Sequence, residues 1–444
     1  MRQDNANGLA GRWSPTALLM SAGVLGLLGR AWIILQTPRQ SYAIDDLFDA
    51  LAWNLVSLGW FTVDGATPSA HVGPLYPAIL AAFYAGVGHR PEWVPCLHVV
   101  LDVAASLCIY LVGRRLFHPW VGALAAAALF LYPAYWTYDP RIRSESLLTL
   151  LLSAWLWATV VCRSSERMSS VVVAGLLAGL TILCKPVTIL LGIALLGLAC
   201  LGPEAARVKI ARAIAYLLAC LLMVLPWTIR NYQAFDLVIP VSAGVGAGLW
   251  MGSDQLSRGS WPMSQTMETQ IWESAGITPL PYPHAMYDVS TDRLLRAKGW
   301  ARITEEPARY FWMTLTRAFD FWIGNSFYLV SSDQGFVLGI AGDAAERGWL
   351  VATYSVAKRL LLIPGLVVLA LWSAWSHRSR WRELLPLYMF PICLMLGYVP
   401  FAVEAGRYAL PVLPCLMLLS MAVLAQAGLP MLPLRCPQPL PVRP

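Results

Sequence analysis

Asp45 and Asp46 stand side by side in SYAIDDLFDALAWNLVSLGW, with Asp49 one helical turn later, directly after a long apolar run. A carboxylate in such a place can cap a helix and favour its dipole, or it can take a proton from a hydroxyl. Cations recur farther along the chain: Arg141 and Arg143 beside Glu145, then Lys185, Arg230 and Arg407. Arg holds phosphate as a fork and Lys holds it as a point charge, so a ring of such groups with one carboxylate suits an anionic lipid headgroup and a base. Each group also has a plainer reading. The acids can be first-turn residues, and the Arg side chains can snorkel to the membrane surface. Lys185 resists that reading, because an ionisable residue between two apolar runs is functional by default. Asp102, inside an apolar run, is either a buried structural partner or part of a site.

The elements that must position these groups follow from composition. The chain has 444 residues, 58% of them hydrophobic and 13% charged, against about 25% charged in an average globular protein. This is an all-α polytopic membrane protein, and its net charge of +7 reflects where Lys and Arg sit relative to a bilayer rather than affinity for nucleic acid. No pair among the nine Cys is spaced CxxC, and the six His form no HExxH pair, which excludes a disulfide framework and a zinc motif. The first apolar run is too long for a signal-peptide core and reads as an uncleaved span.

Taking ~20 apolar residues per crossing, the spans fall near 16–35, 93–113, 119–137, 146–162, 171–184, 187–202, 212–228, 360–376, 384–402 and 408–427. The fifth and sixth are short and meet at a turn on Cys184-Lys185-Pro186. With the N-terminus inside, every inside segment is basic: Arg2 and Arg12, Arg114 and Arg115, Arg163 and Arg167, Arg207 to Arg212, Arg378 to Arg382, Arg435 and Arg443. Charge and span parity therefore agree on two cytoplasmic termini. Two long segments fall outside. The first, 36–92, holds the acidic residues, an amphipathic helix from Leu47 to Leu58 and a ~15-residue apolar run from Pro74, too short to span and better read as interfacial or re-entrant. The second, 229–359, has turn-rich stretches (SAGVGAGLWMGSD, GITPLPYPHAMYD) and a helix from Asp292 to Trp322, with Trp300, Ile303, Phe311, Leu315 and Phe319 as an apolar stripe for the membrane surface. Residues 1–428 read as one transmembrane domain, and 429–444 as a disordered proline-rich cytoplasmic tail. No internal repeat is visible, which disfavours a transporter built on inverted repeats.

Several motifs then occur in order. PWT at Pro226 and IRNY at Ile229 precede PVSAGVGAGLWMGSD, and the set resembles the PW-x-x-RN-y … G-x-n-l-w-x-G-n signature of the GT-C superfamily of membrane glycosyltransferases. The resemblance is to its family 39-like members, relatives of protein O-mannosyltransferases and of the lipid A aminoarabinose transferase. Asp45-Asp46, HVGPLYP (His71 to Pro77), RRLF (Arg114 to Phe117), GLTILCKP (Gly179 to Pro186) and EAGRYALP (Glu404 to Pro411) follow the same family order over about 20–420. Three positions depart from it: Asp46 replaces a Glu, Asp49 stands where an aromatic is frequent, and Gly73 replaces the first of two prolines.

The resemblance implies a GT-C fold of about ten transmembrane helices with interfacial helices in both outer segments. It also implies sugar transfer from a polyprenyl-phosphate donor to an acceptor hydroxyl, with inversion. Asp45 or Asp46 would be the base, the register leaving open which. Arg230, Lys185, Arg141, Arg143, Glu145, His71, Tyr76, Asn231 and Arg407 would contact the lipid phosphate or sugar. No cofactor is demanded and no metal site is read, though the acidic pair could hold a divalent ion. The expected partners are the bilayer, the lipid-linked donor and a glycan, lipid or protein acceptor; the expected place is the inner (plasma) membrane, with the site on its outer face. A lipid-linked-sugar flippase, or a noncatalytic membrane subunit, is the alternative.

Overall fold

The structure is a computed structural model and describes residues 14–36, 47–199, 205–254, 265–277, 289–323, 362–402 and 407–427. Asp45, Asp46, Glu404 and the tail 429–444 lie outside the described residues. The chain forms α1 (Pro15–Gln36), α2 (Leu47–Ser57), α3 (Leu75–Val87), α4 (Val94–Leu116), α5 (Pro119–Leu131), α6 (Pro133–Tyr138), α7 (Glu145–Arg163), α8 (Met168–Cys184) and α9 (Ile189–Ala199). It continues with α10 (Ala206–Phe235), α11 (Val245–Gly252), α12 (Gln265–Ser274), α13 (Val289–Glu305), α14 (Pro307–Ile323), α15 (Ile363–Ser376), α16 (Trp381–Tyr398) and α17 (Leu413–Gln426). Among the described residues there is no strand, only an isolated bridge between Thr62 and Pro68.

Within the described residues every expected span overlaps a helix; 200–202 of the sixth and 360–361 of the eighth lie outside them. Four segments, Pro15–Leu35, Pro91–Leu116, Glu145–Arg163 and Ala206–Phe235, are long and apolar enough to cross a membrane by length and composition alone. The expected span 119–137 is two helices. Tyr132 is extended (ψ 117°) because Pro133 disfavours the helical region for the residue before it and has no N–H to continue the ladder. The expected helix from Asp292 to Trp322 likewise breaks at Pro307 into α13 and α14.

Close helix crossings rest on small residues. Gly175 and Gly179 in α8 let α10 approach so closely that an added Cβ would lie 2.4 Å from the Tyr216 carbonyl oxygen and 2.6 Å from that of Cys220, the small-xxx-small mode of apolar bundles. Between α7 and α16, Trp155 packs edge-on against Phe390 with centroids 5.6 Å apart.

The basic segments gather at one end of the bundle. Arg115 reaches Ser164 Oγ at 2.6 Å, Arg212 the Cys162 carbonyl at 2.7 Å, Arg163 the Arg382 carbonyl at 3.0 Å and Arg380 the Leu116 carbonyl at 2.6 Å. The opposite end carries the loop 58–74, the turn at Lys185, the start of α7, the start of α17 and a cap made of α11 and α13.

That cap contains a second departure from the sequence reading. GVGAGLWMG, expected as turns, is the helix α11. Its glycines are its packing face: a Cβ on Gly246 would lie 1.9 Å from the Asp292 carbonyl oxygen, and one on Gly252 would lie 2.9 Å from the carbonyl carbon of Phe401. Asp292 of α13 caps α11, accepting from the Gly246 N–H at 2.6 Å and the Ala247 N–H at 3.3 Å. Arg317 of α14 is fully buried and donates to the carbonyls of Val399 and Gly252. The outward face of α13 and α14 exposes Trp300, Phe311, Trp312, Leu315 and Phe319.

Candidate active site

Lys185 sits where α8 stops. Pro186 forces Lys185 into an extended conformation (φ −143°, ψ 104°), so its ammonium leaves the helix line and turns into the cap end of the bundle. The loop HVGPLYP lies directly against this turn. A Cβ on Gly73 would fall 2.2 Å from the Leu183 carbonyl oxygen and 2.8 Å from that of Cys184, which explains why no proline occupies position 73.

Glu145 opens α7, so its carboxylate has the favourable end of a helix dipole beneath it. It is buried, and its Oε1 accepts from Arg407 Nε at 2.6 Å. The positive charges acting on it are Arg407, Lys185 and Arg143, in that order. Its other oxygen, Oε2, is buried and has no hydrogen-bond partner among the described residues. Tyr398 and Tyr408 stack at 4.2 Å, and Lys185 and Arg407 both lie 5.8 Å from the Tyr408 ring centroid, within cation–π range. Among the described residues, Lys185, Arg407 and Arg143 converge with the Glu145 carboxylate and an aromatic pair from the start of α7, α16, the α8–α9 turn and the start of α17.

Tyr76 and His71 border this cluster. Tyr76 Oη lies 2.8 Å from His98 Nε2, and His98 Nδ1 lies 2.8 Å from the Asp139 carbonyl oxygen. A carbonyl only accepts, so Nδ1 carries the proton; in neutral His98 the Nε2 then accepts a hydrogen bond from the Tyr76 hydroxyl, and Tyr76 can only accept from a ligand. Burial, and then the Lys185 charge, push His71 down from 6.5 to about 4. The ring is neutral near pH 7.

Arg230 and Asn231 act elsewhere. The Arg230 guanidinium donates to the carbonyls of Ser69 at 2.7 Å and Phe61 at 3.1 Å, and lies 4.8 Å from the Trp227 ring. Asn231 donates to Ile239 and Val241, Trp227 to Val241 and Thr228 to Pro240. The PWTIRN motif therefore fastens two loops, 61–69 and 239–241, to α10. Arg141 and Arg143 are both half-buried, and the Arg143 charge acts on Glu145.

Asp49 is largely buried and paired. Tyr84 donates to its Oδ1 at 2.5 Å and His89 Nε2 lies 3.0 Å from Oδ2, while His89 stacks on Trp53 at 4.6 Å. This joins the first turn of α2 to the end of α3. Asp102 has a partner that sequence reasoning missed: Arg30 of α1 bonds Asp102 at 3.0 Å and Asp139 at 2.7 Å, all three buried. The apolar context of Arg30 was the available signal, since a buried Arg demands carboxylates. Among the described residues no three His, Cys, Asp or Glu converge as a metal site needs.

Comparison with known proteins bears on this geometry. Residues 71–229 match the family model described as dolichyl-phosphate-mannose-protein mannosyltransferase. No curated protein matches the chain by sequence. Among solved structures, the fold is similar to the archaeal oligosaccharyltransferase AglB from Archaeoglobus fulgidus in complex with an inhibitory peptide and a dolichol-phosphate (TM-score 0.53, 14% identity, 93% of this chain and 51% of that one). The apo form of the Archaeoglobus fulgidus oligosaccharyltransferase gives a TM-score of 0.52 at 15% identity, covering 92% of this chain and 50% of that one. ArnT from Cupriavidus metallidurans bound to undecaprenyl phosphate gives 0.39 at 14% identity, covering 90% and 78%. This chain spans about half the length of the oligosaccharyltransferases it matches. The molecule is a multi-pass membrane protein with a fold similar to that of GT-C membrane glycosyltransferases, and its residues 71–229 match the family model of dolichyl-phosphate-mannose-protein mannosyltransferases.

Proposed function

We propose that the chain transfers a sugar from a polyprenyl-phosphate donor to an acceptor hydroxyl at the outer face of the inner membrane, with inversion. The observation that carries this reading is the cluster of Lys185, Arg407 and Arg143 around Glu145, with the HVGPLYP loop packed against the Lys185 turn and the start of α11 beside His71. The departing lipid phosphate needs fixed positive charge where its own charge develops, and preorganised cations in a dry site are the largest source of rate for such a step. The acceptor hydroxyl loses its proton to Asp45 or Asp46, the acidic pair that runs directly into α2. A single base is enough for direct displacement. The dolichol-phosphate held by the archaeal oligosaccharyltransferase of the same fold supports a lipid-phosphate donor. A flippase reading would use the same cations but does not call for the acidic pair.

The test is transfer itself. Purified protein in proteoliposomes is given radiolabelled polyprenyl-phosphate sugar and a membrane extract. Label should move to an acceptor, and Asp45→Asn or Asp46→Asn should abolish the movement. If both substitutions leave transfer intact, neither is the base; if the headgroup crosses the bilayer uncleaved, the protein is a flippase.

A further inference from the structure

The exposed face of α15 carries Val368, Leu371, Trp372 and Trp375, a single stripe at i, i+3, i+4 and i+7. The opposite side of the helix, with Ala370 and Ser373, is buried. The stripe begins aliphatic and ends in indoles, and its indole end lies at the basic end of the bundle. Trp375 is 70% exposed there, and the Arg378 guanidinium lies 5.1 Å from its ring centroid. The arrangement repeats across the turn: Trp381 opens α16 exposed, with the Arg382 guanidinium 5.4 Å from its ring. Arg380, between them, is committed inward. It forks onto both oxygens of Glu383 at 2.9 Å and donates to the Leu116 carbonyl at 2.6 Å. Arg378 and Arg382 are exposed and have no carboxylate partner among the described residues. Arg378 makes only a long 3.3 Å contact to the Trp375 carbonyl there. An arginine laid over an indole rather than against a carboxylate keeps its outer N–H groups for another anion.

We propose that the α15–α16 turn and the stripe of α15 bind an anionic phospholipid of the bilayer leaflet at the basic end. The order of chemistry along the stripe is that of the lipid. Its phosphodiester meets Arg378 and Arg382, its glycerol and ester groups lie at the level of Trp372 and Trp375, where indoles favour the interface, and an acyl chain runs along Leu371 and Val368. Charge selects the occupant. A phosphatidylglycerol-type headgroup offers the arginines an uncompensated phosphate, whereas a zwitterionic headgroup brings an ammonium that opposes them. The site stands at the other end of the bundle from Lys185 and does not depend on the transferase reading.

The experiment releases the full-length protein from nanodiscs of equal phosphatidylglycerol and phosphatidylcholine and weighs the retained lipids by native mass spectrometry. Wild-type protein should retain phosphatidylglycerol over phosphatidylcholine by about fivefold or more, the preference expected of one arginine at an anionic surface. Arg378→Gln combined with Arg382→Gln should bring the ratio close to one. Arg207→Gln combined with Lys209→Gln removes the same charge from another basic segment and should leave the ratio unchanged. Equal loss in the two double variants would mean diffuse attraction to basic segments and overturns the proposal, as does a wild-type ratio near one. If the Arg378 and Arg382 double variant does not fold, Trp375→Ala serves: it should lower the ratio at least about twofold, since the indole is what holds Arg378 outward, and an unchanged ratio overturns the proposal.

Discussion

No acid flanks Lys185 in ILCKPVT, so its counter-charge arrives from α7 as Glu145, and the whole cluster depends on that meeting. Lys185→Met should lower kcat/KM by about 10²-fold or more, the usual loss when one fixed positive group facing developing charge is removed; an effect below threefold in a transfer assay would move the phosphate elsewhere. His71 gives a different signal. Its pKa falls from 6.5 to about 4 in the folded chain, so between those values the unfolded ring binds a proton that the folded ring does not. Stability is therefore complete above about 6.5 and falls as pH drops towards 4. Thermal unfolding followed from pH 8 to pH 4 should show that decline, and His71→Gln should flatten it; an unchanged slope would assign the decline to other groups. The types and order of Lys185, Arg143, Glu145 and Arg407 were legible before any coordinates, because charge in an apolar setting is conspicuous. The work of Arg230 was not. Its acceptors are the carbonyls of Ser69 and Phe61, 161 and 169 residues away, and every residue type offers a carbonyl.

The elements carry these side chains on close backbone contacts, and those contacts make the sharper tests. Gly73→Ala would press a methyl to 2.2 Å from the Leu183 oxygen, and a backbone carbonyl cannot swing aside as a side chain can. The variant should lift HVGPLYP from the Lys185 turn and reduce transfer at least tenfold (an estimate for about 1 Å of misplacement), with a lower Tm; wild-type activity would mean that the loop is not part of the site. Asp292→Ala removes the acceptor for two N–H groups at the start of α11. It should cost about 0.5–2 kcal/mol, a typical cap loss, seen as a lower midpoint in a thermal-shift measurement. The spans and the turn at Cys184-Lys185-Pro186 were readable because apolar length and proline chemistry are local. The helix α11 was not, since five residues of GVGAGLWMG look like turn or small-residue filler until a neighbouring segment is close enough to need Gly246 and Gly252.

The whole molecule sorts its charges by end. Residues expected inside from span parity, Arg115, Arg163, Arg212 and Arg380, bond one another's segments at one pole, while Lys185, Glu145, Arg407 and the Arg230 clamp occupy the other. Parity and positive-inside counting needed no coordinates, whereas the convergence of four distant chain segments at Glu145 did. The exposed stripe of Phe311, Trp312, Leu315 and Phe319 on α14 belongs to the site pole, because Arg317 on the same helix is buried against Val399 and Gly252. With the basic pole in the cytoplasm, the loop after α10 must face outward. A fusion of alkaline phosphatase after Asp236 should then be active in intact cells, and green fluorescent protein fused at the C-terminus should fluoresce, since the first matures only outside the membrane and the second folds inside. The opposite pair of results would put the cation cluster on the cytoplasmic side and overturn the outer-face placement of the proposed reaction.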